Sequence, residues 1–290
     1  VIMGAGLGGL PAAFEMKEAL RKEDRVTVVS NSTTFHFVPS NPWVAVNWRK
    51  REDIEIDLAP VFARKGIGFK PVVAKKLDPE NNQVITADGQ AVTYDFLVVA
   101  AGIEIDWDGV KGLSDALGKD DVCSNYSYDH VDYTWKTIEN FKGGTALFTM
   151  PPPPIKCAGA PQKIAYLADD AFRRQGVKVL GWVNPYVPEE IIYAAGTPGI
   201  FAVADYAKTL NQVIERKEID ARYQHVLVEL DAAAKKAIFE DRANDNARVE
   251  IAYDMIHVTP PQRAPQVVRE SPLAGDGGWL EVDKHTLQSP

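Results

Sequence analysis

Only two cysteines, Cys123 and Cys157, occur in 290 residues, so no disulfide framework holds this chain and each thiol is read on its own surroundings. Long apolar runs are missing too. The longest, residues 96–103, falls far short of the ~20 residues of a membrane-spanning helix, and no signal-peptide pattern is visible. Positive charge is in deficit: a formal charge of −8 without any Lys/Arg-rich stripe argues against a nucleic-acid partner. No metal site is expected. What remains, 46% hydrophobic and 25% charged residues, is the composition of a soluble globular chain with one large core or two of ordinary size.

The first informative feature is a glycine turn. Val1-Ile2-Met3 reads as the tail of a buried strand, Gly4, Gly6 and Gly9 form G-x-G-x-x-G, a helix pattern covers 11–21, and a β-branched strand follows at 25–30. Between a strand and a helix, such glycines allow a tight turn and close backbone approach, and the helix N-terminus faces the charge of a pyrophosphate. One element of that pattern is lacking. An acidic residue usually ends the second strand and binds ribose hydroxyls, whereas this chain has Ser30 and Asn31, which hydrogen-bond without charge. Ala101 and Gly102, closing a later buried strand, leave room for a flavin or its ribityl chain. The aromatic loop around His36, running to Asn41 and Trp43, suits covering a bound cofactor.

An internal repeat points to two halves. Ala63-Arg64-Lys65-Gly66-Ile67 recurs as Glu215-Arg216-Lys217-Glu218-Ile219. A hairpin-like stretch follows each copy (76–93 and 228–252), and then Tyr-Asp and a buried strand, at Tyr94-Asp95 and Tyr253-Asp254. Shared order and register favour duplication, with extra residues in the second hairpin.

In the second half the glycine turn is gone. Between a strand at 145–149 and an amphipathic helix at 164–174 stand Pro151-Pro152-Pro153-Pro154-Ile155-Lys156-Cys157-Ala158-Gly159-Ala160-Pro161. A nucleotide turn has been replaced by a thiol turn. A helix N-terminus and the ammonium groups of Lys156 and Lys163 stabilise an anionic sulfur at Cys157, and the small residues beside it leave space for a flat ring. Cys123, with Asp120 and Asp121 nearby, reads as a bystander on local chemistry, or else as a redox partner of Cys157, which requires α-carbons within ~7 Å. His130, opening a helix at 131–141, is a candidate proton carrier.

Together these residues resemble sulfide:quinone oxidoreductases, of the flavin-dependent disulfide reductase superfamily. Glu15 to Leu20 and Phe37 to Val44 are similar to that family's first βαβ unit and following loop, and Lys156 to Ile164 to its second-half cysteine motif. His257-Val258-Thr259-Pro260-Pro261 and Gly278-Trp279-Leu280-Glu281-Val282-Asp283 are similar to later landmarks. The resemblance implies an α/β fold of two Rossmann-like dinucleotide-binding domains, the second modified and lacking an NAD-type glycine motif. The expected division is 1–112 for FAD, 113–142 connecting, 143–262 carrying the redox cysteine, and 263–290 returning toward the FAD domain.

The resemblance further implies FAD-dependent oxidation of sulfide to polysulfide or persulfide sulfur, with electrons passed to a membrane quinone. Catalytic roles fall to Cys157, with Cys123 and His130 as further candidates. Cofactor binding falls to Gly4, Gly6, Gly9, Ser30, Asn31, Asn41, Ala101 and Gly102. The expected location is a membrane surface, reached through a segment beyond this chain, which is read as part of a longer protein that also holds the partner cysteine. A homo-oligomer stays open. The alternatives are the flavin subunit of a flavocytochrome sulfide dehydrogenase, a type II NADH dehydrogenase (disfavoured by the missing second glycine turn), and a flavin-binding protein without turnover.

Overall fold

The structure, a computed structural model, describes residues 1–178 and 189–290. The chain forms two compact units: residues 1–37, 54–104 and 263–290 make the first, and residues 38–53 and 105–262 the second. The aromatic loop from residue 38 onward thus groups with the second unit, as do residues 105–142, while 263–290 groups with the first.

In the first unit, β1 (Ile2–Met3), α1 (Gly9–Ala19), β2 (Thr27–Ser30), α2 (Leu58–Lys65), β3 (Gly68–Pro71), a meander β4 (Ala74–Asp78), β5 (Gln83–Thr86), β6 (Ala91–Thr93), and β7 (Val98–Val99) follow in order. The sheet is parallel, β3-β2-β1-β7. Strand alternation assigns its two faces. Ile2 and Val28 pack with Ala13, Leu58 and Phe62 of the helices, whereas Met3 and Val29 pack with Leu77, Val84 and Val92 of the meander. Ala264 and Val268, on either side of the start of a short helix at Gln266–Arg269, join the meander side, so the returning segment is part of this core. Asp57 caps α2 by accepting the Ala59 N–H at 3.2 Å, and Gly66 ends it at φ +64°.

The second unit repeats the scheme. It contains β8 (Val122–Cys123), α3 (Val131–Asn140), β9 (Gly144–Met150), α4 (Ala160–Arg174), β10 (Glu189–Ala195), α5 (Ala204–Arg216), β11 (Ile219–Tyr223), a meander β12 (His225–Asp231), β13 (Lys236–Asp241), β14 (Ala247–Ala252), and β15 (Met255–His257). Its parallel order, β11-β10-β9-β15, is that of the first unit with β8 added at one edge. Leu147, Ile192, Leu227, Phe239 and Ile256 form its core against the meander. The repeated Arg-Lys falls at the ends of α2 and α5, where Gly66 and Glu218 both turn left-handed, the latter at φ +50°. Among the described residues no helix is long and apolar enough to cross a membrane.

Candidate functional site

The three glycines of the first turn have different causes. Gly4 lies at φ +106°, and a Cβ there would collide with the Ala100 carbonyl oxygen. A Cβ on Gly9 would collide with the carbonyl of Gly4. Both are glycines because backbone packs on backbone. Gly6 has no atom within 4 Å of where a Cβ would sit, and its φ is not left-handed. Neither packing nor conformation within the protein calls for glycine there. The empty approach lies at the N-terminal end of α1, where the positive end of the helix dipole is and where the Leu10 N–H bonds the Gly6 carbonyl at 3.0 Å.

A cleft of about 370 Å³ opens beside this turn, lined among others by Gly4, Ser30, Asn31, Lys75, Ala101 and Glu270. Ser30 is buried and its Oγ accepts the Ser32 N–H at 3.3 Å, while Asn31 is exposed. Gly102 sits at φ +74° with open space around it. The far wall is fastened by Glu104, which accepts from Arg263 at 2.8 and 2.6 Å and from Arg269 at 3.2 Å. Burial works against the charge of Glu104, but the two guanidiniums outweigh it and hold the carboxyl below its ordinary range. Glu270 accepts from Gln266 Nε2 at 2.8 Å. Sequence reasoning missed Lys75 and Glu270, since no local pattern ties either to a turn so remote in the chain.

In the second unit the matching turn joins β9 to α4 and carries Cys157, exposed and at φ +56°. Its carbonyl accepts the Ala160 N–H at 2.9 Å, opening the helix. The Tyr126 hydroxyl lies 3.2 Å from the Lys156 carbonyl and 3.3 Å from that of Cys157, and Gln262 Oε1 accepts the Lys156 N–H at 2.6 Å. Lys156 Nζ lies 5.8 Å from the centroid of the Tyr126 ring. Burial lowers the Lys156 pKa, and the Cys157 sulfur partly restores it. Gly196 makes room for the proline run: a Cβ there would stand 2.8 Å from Pro152 Cδ.

The remaining candidates are occupied by structure. Cys123 is fully buried on β8, against Thr134 and Thr137 of α3, and burial pushes its thiol up to about 12. The two cysteines are free thiols. Burial of Cys123 is the main cause of its raised pKa and Asp121 adds to it; the polar neighbours stand outside the strand and the Cys123 sulfur inside the core. His130 shares a 2.8 Å hydrogen bond through Nδ1 with Ser127 Oγ, a local turn. Asn41 is 2% exposed and donates Nδ2 to the Asn125 carbonyl at 2.9 Å, leaving Oδ1 without a partner among the described residues.

His257, fully buried on β15, accepts the Asn125 N–H at Nε2 (2.9 Å) and stacks on Phe148. Burial pulls its pKa from 6.5 to about 3. The folded ring is therefore neutral while the unfolded one takes up a proton first. Its contribution to stability is fully present above about 6.5 and is lost as pH falls toward 3. At ~1.4 kcal/mol per pH unit, urea unfolding should show a loss of about 2 kcal/mol between pH 6.5 and 5. His257→Gln should flatten that slope, and an unchanged slope would refute the assignment.

No protein-family model matches the chain. Among curated proteins it is 34% identical over 289 residues to the mitochondrial sulfide:quinone oxidoreductase of Mus musculus, covering 99% of this chain and 62% of that protein. It is 35% identical over 290 residues to the mitochondrial sulfide:quinone oxidoreductase of Dictyostelium discoideum, with the same coverages of 99% and 62%. The chain thus spans 62% of the length of these relatives. Among solved structures, the sulfide:quinone oxidoreductase of Aquifex aeolicus matches with a TM-score of 0.81 at 22% identity, over 95% of this chain and 62% of that one. A NAD-dependent persulfide reductase from A. fulgidus matches with a TM-score of 0.69 at 15% identity, over 97% and 50%. At such identities the structural likeness speaks for the fold.

Proposed function

We propose, from the premise that this chain resembles sulfide:quinone oxidoreductases along its whole length, that it is the cofactor- and thiol-bearing part of such an enzyme. The complete protein would oxidise sulfide to polysulfide or persulfide sulfur, with FAD as cofactor and a membrane quinone as acceptor. The observation that carries this reading is Cys157, an exposed thiol at the head of α4, in the turn where the first unit has its glycines.

The residues of the first unit fit a dinucleotide. Gly6 leaves the approach to the α1 N-terminus open for a pyrophosphate, and Gly4 and Gly9 keep the turn tight. Ser30, Asn31, Ala101 and Gly102 border the space for the rest of the cofactor, and Glu270 supplies the ribose-binding carboxylate that the end of β2 lacks. A bound flavin would supply a two-electron carrier between sulfur and quinone. Cys157 would hold the incoming sulfur on an exposed turn, with the α4 N-terminus favouring an anion beside it. Cys123 offers sulfide no access and receives no role.

The test is an anaerobic visible spectrum of the full-length protein before and after sulfide. Bleaching of flavin bands that is absent in Cys157→Ser supports the proposal. A flavin that stays oxidised, no flavin at all, or turnover retained in that variant would sink it. A second expectation concerns the cofactor alone. Gly6→Ala and Glu270→Gln should weaken FAD retention by on the order of 10-fold or more with an unchanged urea midpoint, while FMN binding in Glu270→Gln stays at the wild-type level. Gly9→Ala, by contrast, should unfold the turn. Equal FAD retention in all three would remove the turn and Glu270 from the site.

A further inference from the structure

Two buried side chains hold the turn that presents Cys157, and we propose that Tyr126 and Gln262 are the positioning residues for its sulfur. This rests on the reading of Cys157 as the reactive thiol. Cys157 occupies the left-handed region, at φ +56°, which carries a steric cost for a residue with a Cβ. Support lies on both sides of its α-carbon. Ahead of it, the Lys156 N–H donates to Gln262 Oε1 at 2.6 Å, and the Lys156 carbonyl lies 3.2 Å from the Tyr126 hydroxyl. Behind it, the Cys157 carbonyl lies 3.3 Å from the same hydroxyl and accepts the Ala160 N–H at 2.9 Å. One phenol thus spans two successive carbonyls.

The anchors are themselves fixed. Tyr126 is 8% exposed and Gln262 7%. Gln262 Nε2 is buried without a partner among the described residues, a cost that an apolar side chain would not carry. The hydrogen bond that the glutamine does make goes to the cysteine turn. With the peptides on either side held, the direction of the Cα–Cβ bond is set and the sulfur stands out from the protein. Released from the clamp, the turn would relax toward an ordinary backbone conformation and the sulfur would swing with it. Their hydrogen bonds go to the backbone of the turn, and both act through it.

The experiment compares full-length wild-type protein with Tyr126→Phe, Gln262→Leu and Gln262→Glu, the last of which keeps an acceptor oxygen. Two readouts are taken: the rate of iodoacetamide alkylation at Cys157, followed by peptide mass spectrometry, and the steady-state constants for sulfide oxidation. Buried Cys123 is the internal control, because its labelling reports loss of fold. Tyr126→Phe and Gln262→Leu should lower kcat on the order of 10-fold at unchanged KM for quinone and change the alkylation rate at least threefold, and Gln262→Glu should restore both. Folded Tyr126→Phe and Gln262→Leu proteins that alkylate and turn over within twofold of wild type would overturn the proposal. So would a Gln262→Glu protein as impaired as Gln262→Leu. If sulfide oxidation proves not to depend on Cys157, the functional reading fails, while the alkylation rates still decide the clamp.

Discussion

Glycine in place of Cys157 is expected to abolish sulfide-dependent bleaching of the flavin while leaving the fold as stable as before or about 1 kcal/mol more stable. The two effects have separate origins. A side chain at φ +56° costs ~1–2 kcal/mol relative to glycine, which adopts that conformation freely. Against this gain stands the larger entropy that glycine has in the unfolded chain, roughly 0.5–1 kcal/mol. Cys157 is exposed, so little burial is lost with its side chain. Serine retains the strain, so Cys157→Ser should match wild type in stability and glycine in lost chemistry. Urea unfolding followed by circular dichroism, together with the anaerobic spectrum, reads both quantities on one preparation. A glycine variant that unfolds at markedly lower urea would mean that the sulfur is a structural group, and a glycine variant that still bleaches would remove the thiol from the reaction.

The parts of this architecture that are written locally are the ones the sequence discloses. Gly4, Gly6 and Gly9 between a strand and a helix announce the first turn, and the Pro-Lys-Cys run between β9 and α4 announces the second. The repeat is legible because each helix–meander–strand unit is continuous in sequence, and the two parallel sheets do share the order β3-β2-β1-β7 and β11-β10-β9-β15. What the sequence hides is distance and depth. Tyr126 reaches the cysteine turn across 30 positions and Gln262 across 106, and no periodicity connects them. Asp120 and Asp121, both left-handed, made the surroundings of Cys123 look polar although the strand that follows them turns its sulfur into the core. Asn41 sits in an exposed-looking aromatic loop, and only the fold reveals that its amide is buried on the Asn125 carbonyl.

Asp169→Asn is expected to destabilise the protein by about 3–5 kcal/mol, the largest stability effect of any single polar substitution considered. Asp169 is fully buried on α4. It accepts from Lys178 Nζ at 3.1 Å, from Lys217 Nζ at 2.6 Å and from Arg173 Nη2 at 3.0 Å, and Lys178 Nζ also donates to the Lys217 carbonyl at 2.7 Å. One carboxylate therefore ties the C-terminal ends of α4 and α5 and neutralises cations that have little water. Burial works against its charge, but Lys217, Arg173 and Lys178 together hold the carboxyl below its ordinary range. The same burial lowers the Lys178 pKa, opposed by Asp169. Removing the anion strands the ammonium of Lys178, which is 5% exposed, whereas Lys178→Met leaves Asp169 with two other partners. The lysine change should accordingly cost no more than about half as much. The acid limb follows with its sign: a folded pKa held below the unfolded one gives stability that is present above the unfolded value and is lost as pH falls through the folded one. Asp169 thus gives way at lower pH than His257. Urea midpoints of the two variants at neutral pH decide the matter, and equal costs for Asp169→Asn and Lys178→Met would mean that the carboxylate is not the centre of the cluster.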